Sequence, residues 1–164
     1  MHKPSPQTVP ETPSSQGEPL PLDSSLVFQL VRVVNLTARP FQAGMGKAHQ
    51  LSLNEWRAMV VLASRPGCVA TDIAEATGLD KMSVSRALSG LRRLDRVLFK
   101  SDLQDQRRSN VYLSKAGRKL FEEIGRHAMD REAELFNGVS SDELQTMGST
   151  LDKLVLALKS SEAK

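Results

Sequence analysis

The sequence predicts a mainly α-helical fold with one small β-wing, and three observations carry that prediction. Apolar residues recur at i, i+3, i+4, i+7 in stretch after stretch. A Ser, Thr or Asp stands where each stretch needs an N-cap. Only two short runs, 96–100 and 109–113, alternate with the period of two that a half-buried strand shows.

The first 22 residues hold six of the chain's eight prolines and almost no apolar side chains, so they are read as a disordered tail. Residues 23–164 are read as one domain, as a chain of 164 residues suggests. Val27, Leu30, Val31 and Val34 then mark an amphipathic helix, capped at Asp23 or Ser24 and ending near Ala38 before Pro40. Ser52 and Glu55 spell a capping box for a second helix reaching about Ser64, where Arg65-Pro66-Gly67 breaks it. Cys68-Val69-Ala70 reads as a minimal strand, and Thr71 as the cap of a short helix over 72–77 closed by Gly78.

Asp80 caps the next helix, whose Val84, Ala87, Leu88 and Leu91 face a core. Its other side carries Lys81, Ser83, Ser85, Arg86, Ser89, Arg92 and Arg93. The two strand-like runs form a hairpin around the polar loop 101–108. Ser114 opens a helix bearing Leu120, Phe121, Ile124, Ala128 and Leu135, and Ser140 or Ser141 opens the last. There Leu144, Met147, Leu151, Leu154 and Leu158 fall into a heptad-like seam that needs a partner.

Charge sharpens the picture. Residues 81–108 hold eight cations against three aspartates, a net +5, whereas the whole chain carries only +3. The positive field therefore sits on a helix and a hairpin tip that have the shape to enter a nucleic-acid groove, as phosphate neutralisation requires. Aromatic residues make up 4% of the chain, and Phe99 alone falls in this window, which favours duplex DNA over single strands.

Two short helices around a Gly-containing turn, the second basic, followed by a hairpin, follow the order of a winged helix-turn-helix. From about Leu51 to Gly117 the chain resembles the MarR family of bacterial regulators. The residues that carry the resemblance are Ser83-Val84-Ser85-Arg86, the wing Asp105-x-Arg107, and Val111-Tyr112-Leu113-Ser114 leading to Gly117. Asp95 stands where a Gly commonly ends the recognition helix, and Phe99 where an Arg commonly begins the wing. The resemblance implies a homodimer whose terminal helices, 23–48 and 118–164, interdigitate while the lobes at 51–117 grip a palindromic operator on double-stranded DNA.

Side-chain chemistry assigns the contacts. Arg86 is the candidate for bidentate contact with a guanine or a phosphate, and Lys81, Ser83 and Ser85 reach base edges or phosphates. Arg107 enters the minor groove, Asp105 holds the wing tip in shape, and Arg108 joins the cationic loop. Thr71 offers a backbone N–H to a phosphate from a helix N-terminus. Regulators of this type often bind a small-molecule effector, commonly an aromatic carboxylate, between the dimer helices and the lobe. Arg39, Phe41, His49 and Trp56 supply the cation and aromatic walls for one, unless Trp56 is plain core and Arg39 a solvated charge.

Other chemistry is excluded or left as an alternative. No apolar run approaches the ~20 residues of a membrane span, no signal-peptide pattern is present, and a single cysteine fits a cytoplasmic setting. Gly46-Lys47 fails as a phosphate loop at Phe41 and Ala48. His2, His49 and His127 have no metal-ligand spacing, no catalytic triad is legible, and no cofactor or enzyme activity is expected. A ligand-free architectural DNA-binding protein and a redox sensor acting through Cys68 are the competing readings.

Overall fold

The computed structural model describes residues 25–101 and 109–162. The proline-rich tail therefore lies outside the described residues. In chain order the elements are α1 (Leu26–Ala43), α2 (Met45–Ala48), α3 (Leu53–Ser64), α4 (Ala70–Thr77), α5 (Lys81–Arg93), β1 (Val97–Ser101), β2 (Ser109–Leu113), α6 (Lys115–Leu135) and α7 (Ser141–Glu162).

Helix α1 starts later and runs further than the sequence suggests. Ser25 is the cap, its hydroxyl oxygen accepting the Phe28 N–H at 3.3 Å. Pro40 lies inside the helix rather than beyond it. Proline removes one helical hydrogen bond, but Gly44 still donates to the Pro40 carbonyl at 3.0 Å and Phe41 stacks on Trp56 with centroids 6.1 Å apart. Tertiary packing thus holds the last turn that local propensity disfavours. The single turn α2, absent from the sequence reading, follows at once.

In α3 the capping box forms as its spacing requires: Glu55 N–H donates to Ser52 Oγ at 3.2 Å, and Ser52 N–H donates to Glu55 Oε2 at 2.6 Å. Helix α4 begins two residues before its expected start. Val69 is the N-cap, and Asp72 accepts the Val69 N–H at 3.0 Å, so Thr71 sits within the first turn and is not the cap. Gly78 ends α4 at φ 68°, where a residue lacking Cβ is least strained.

Val97 pairs with Leu113 and Ser101 with Ser109 in an antiparallel two-stranded sheet. Residues 68–70 are not a third strand, because Ala70 already belongs to α4. Even so, the chain there keeps two backbone hydrogen bonds with β2: Gly67 N–H to Val111 O at 2.9 Å and Val111 N–H to Cys68 O at 3.0 Å. Of β1 only Val97 is buried, so Phe99 is a half-exposed ring and not a core residue.

The core lies beneath this lobe. Met59 and Leu62 of α3, Ile73 of α4, Val84 and Leu91 of α5, Val111 of β2 and Ile124 of α6 are all nearly inaccessible. Burying each such side chain contributes about 1.5–3 kcal/mol. Gly90 lets α5 lie close against α3, since a Cβ there would collide with Glu55 Oε1. By contrast, Val27, Val31 and Val34 of α1 and Met147, Leu151, Leu154 and Leu158 of α7 are exposed within the single chain.

Candidate nucleic-acid interface and ligand cleft

Helix α5 is fixed at both ends. At its start Asp80 accepts the Ser83 N–H at 2.8 Å and the Ser83 hydroxyl at 2.6 Å. These bonds hold the Asp80 carboxyl below its ordinary value, with the Ser83 hydroxyl as the largest cause. At its end Arg96 N–H reaches Leu91 O at 2.9 Å and Asp95 N–H reaches Arg92 O at 3.0 Å, the two bonds of a Schellman motif. Asp95 occupies the left-handed position of that motif at φ 52°, which explains why glycine is common there. The Ser114 hydroxyl donates to the Asp95 carbonyl at 2.6 Å and ties the turn to the start of α6.

With Val84, Ala87, Leu88 and Leu91 buried, 3.6 residues per turn line up Met82, Arg86, Ser89 and Arg93 on the side facing away from the core. All four are exposed, Met82 at 68%. Lys81, Ser85 and Arg92, also exposed, share one flank, while Ser83 and Gly90 share the flank toward α3. Of the DNA-contact residues expected from sequence, Arg86, Ser85 and Lys81 thus lie on the free surface of α5. Arg86 also borders a crevice of about 170 Å³ beside Ser52 and Asn54. Ser83 is engaged in the cap. Thr71 is exposed in the first turn of α4. Asp105, Arg107 and Arg108 lie outside the described residues.

Three cations of the basic window have structural partners. The Arg92 guanidinium lies 5.3 Å from the centre of the Phe99 ring, and Lys100 Nζ lies 5.1 Å from that of Tyr112. Phe99, standing where the resemblance expects an arginine, thereby holds an arginine supplied by α5. Arg96 turns inward and donates to the Gln50 carbonyl at 3.2 Å and to the His49 carbonyl. Its part-burial lowers its pKa, the Glu55 carboxylate opposing. Arg96 therefore ties the hairpin to the corner before α3, and the sequence charge count overstates the free positive field by this one residue.

A cleft of about 390 Å³ opens between α1, α3 and α6. Phe41, Trp56, Leu53, Ile124, Leu135 and Phe136 form apolar walls, and His127, Arg131 and Glu132 supply polar groups. Trp56 also stacks on Phe121, centroids 5.3 Å apart. The expected aromatic walls Phe41 and Trp56 both line this cleft; Arg39 and His49 do not. His49 instead faces Glu123, Nε2 to Oε1 3.5 Å. The nitrogen donors at the cleft come from α6, and the sequence signal was there: His127 and Arg131 stand four apart, in phase with Ile124, Ala128 and Leu135.

Cys68 is half-buried, and burial first, then the Asp72 carboxylate, pushes its thiol up. That disfavours the thiolate a reactive cysteine needs. Among the described residues no cluster of His, Cys, Asp and Glu could hold a metal, and no helix is long and apolar enough to cross a membrane.

A polar, cationic helix carried on a helix-turn-helix and followed by a β-hairpin defines a winged-helix DNA-binding fold. A family model described as MarR family matches residues 49–108, so this segment of the chain resembles that family. No curated protein matches the sequence as a relative. Among solved structures, a MarR/EmrR family transcriptional regulator from Acinetobacter sp. ADP1 superposes with a TM-score of 0.78 at 24% identity, covering 85% of this chain and 98% of its own. MepR of S. aureus, solved with DNA, gives 0.74 at 21%, covering 83% and 98%. BpsR of Bordetella bronchiseptica, whose DNA binding is regulated by 6-hydroxynicotinic acid, gives 0.73 at 22%, covering 84% and 97%.

Proposed function

We propose that this chain is a ligand-responsive repressor that grips a palindromic operator as a homodimer and lets go when a small aromatic carboxylate fills the cleft. The observation that carries the reading is α5, where exposed Arg86, Ser85 and Lys81 occupy a helix locked at both ends by Asp80 and the Asp95 turn. Preorganised donors of this kind suit base edges and phosphates alike. Residues 23–164 act as one unit, and Thr71 and the wing residues Asp105, Arg107 and Arg108 complete the contact in the roles set out above, while Ser83, its hydroxyl committed to Asp80, steadies the start of the helix.

The dimer follows from solvation. Val27, Val31 and Val34 on α1 and Leu151, Leu154 and Leu158 on α7 would each remain in water in a single chain, at about 25 cal/mol for every Å² of apolar surface. A second copy covers them, and its two-fold axis sets recognition helices about 10–10.5 bp apart on the duplex. The setting is the bacterial cytoplasm.

The cleft joins α1, a dimer helix, to α3, a lobe helix, so an occupant biases the angle between them. An effector works only if it prefers the lobe spacing that misfits DNA. Aromatic walls, the Arg131 guanidinium and the His127 ring suit an aromatic ring bearing a carboxylate, with Glu132 opposing any second negative charge. The regulation of BpsR by an aromatic acid supports the same class here.

Titrating the protein against a palindromic promoter fragment and a random duplex at one salt concentration tests the reading. A preference of about 10³ or more is expected of a regulator; a ratio near one indicates an architectural binder. Thermal-shift screening of small aromatic carboxylates then finds the effector, since a ligand of the folded dimer raises its melting temperature. A stabilising carboxylate that leaves DNA affinity unchanged would refute the release mechanism.

A further inference from the structure

Met82 is the most exposed large apolar side chain among the described residues of the 51–117 lobe. It points away from the Val84–Leu91 core, belongs to neither apolar dimer helix, and sits in the first turn of α5, the part of a recognition helix that meets base edges. Its neighbours along the outward line are Arg86, Ser89 and Arg93, whose guanidinium groups suit phosphates and guanine edges. The Asp80–Ser83 bonds fix the backbone beneath it, while its own unbranched chain stays adaptable.

We propose that Met82 and Arg86 read a thymine and a guanine as a pair in each operator half-site. The inference rests on the DNA-binding reading above and names what that surface recognises. In the major groove the thymine C5-methyl is the one apolar feature that any base edge presents, so an apolar side chain on the reading line has one favourable target. Arg86 matches guanine O6 and N7 with two parallel N–H donors. Four residues of helix rise about 6 Å, under two base steps of about 3.4 Å, so the thymine and guanine lie within two base pairs of each other.

The test uses the full chain and a pool of randomised duplexes. After selection at fixed salt, each selected thymine is replaced by deoxyuridine, which removes only the methyl. Wild type is expected to select a thymine within two base pairs of a guanine in each half-site. Loss of that methyl should weaken its binding about fourfold per half-site, the worth of one buried methyl group. Met82→Ala, exposed and so folding normally by circular dichroism, should bind the thymine and deoxyuridine duplexes equally, whereas Arg86→Ala should lose the guanine and keep the methyl effect. Equal binding of both duplexes by wild type, or unchanged discrimination by Met82→Ala, overturns the proposal while leaving the regulator reading intact. Failure to select any duplex over random sequence overturns both.

Discussion

Replacing Gly90 by alanine sets two effects of opposite sign against each other. In an unconstrained helix the change would stabilise, since glycine costs roughly 0.5–1 kcal/mol relative to alanine. Here the added Cβ would collide with Glu55 Oε1. Glu55 has to move, and its other oxygen holds the Ser52 N–H in the α3 capping box. The Ser52 hydroxyl cap on the Glu55 N–H is untouched, and the one carboxylate bond that the move loosens is worth about 1–3 kcal/mol in this buried setting. Set against the helix gain, that loss leaves Gly90→Ala destabilising by up to about 2 kcal/mol. Urea denaturation at one protein concentration measures this directly. With Glu55→Ala already in place the obstruction is gone, and the same substitution should then stabilise by about 0.5–1 kcal/mol. Stabilisation in the wild-type background, or the same sign in both, would refute the close packing of α5 on α3.

Arg92→Ala should lower the slope of log affinity against log salt by about 0.9, one phosphate contact. Phe99→Ala keeps the charge but releases it, so affinity should fall about twofold to fivefold with little change in slope, and Phe99→Tyr should restore it; unaltered affinity in Phe99→Ala argues against a positioned Arg92. Asp95→Gly should stabilise by roughly 0.5–1 kcal/mol and Asp95→Val should destabilise, as φ 52° requires; the reverse order in thermal melts would deny the left-handed turn. Because the Asp80 carboxyl is held below its ordinary 3.8, its cap contributes fully above that pH and is lost as pH falls through the lower folded value. Asp80→Asn should therefore show a shallower acid loss of stability than wild type, and parallel acid profiles would remove Asp80 from the account.

The helical lobe was legible because its signals are local. Ser52 with Glu55, Asp80 before a polar first turn, Gly78 after α4 and Ser114 before α6 each fix one end from neighbouring residues alone. The miss at Pro40 came from the opposite source: Trp56, sixteen residues on, holds the turn that proline weakens. Thr71 lost the cap because the Asp72 side chain, from inside the helix, serves Val69. Of the four residues grouped from sequence, Phe41 and Trp56 meet at the cleft and Arg39 and His49 do not. Arg39 and His49 are near Phe41 in sequence, whereas His127 and Arg131 are brought to it only when α6 packs across α3. Phe99 registered as a departure from a family pattern, and its capture of Arg92 needs the hairpin to fold back on α5.

The central claim is that the free face of α5 enters a duplex groove, and Arg86 tests it most directly. Fluorescence anisotropy of a selected duplex and a scrambled one, titrated with wild type and Arg86→Ala at one salt concentration, separates specific from general binding. Removing a bidentate base contact should cost about 1–3 kcal/mol on the selected duplex, roughly fivefold to 150-fold, and relax the preference at the guanine position. If Arg86→Ala binds and discriminates as wild type does, α5 is not the reading element.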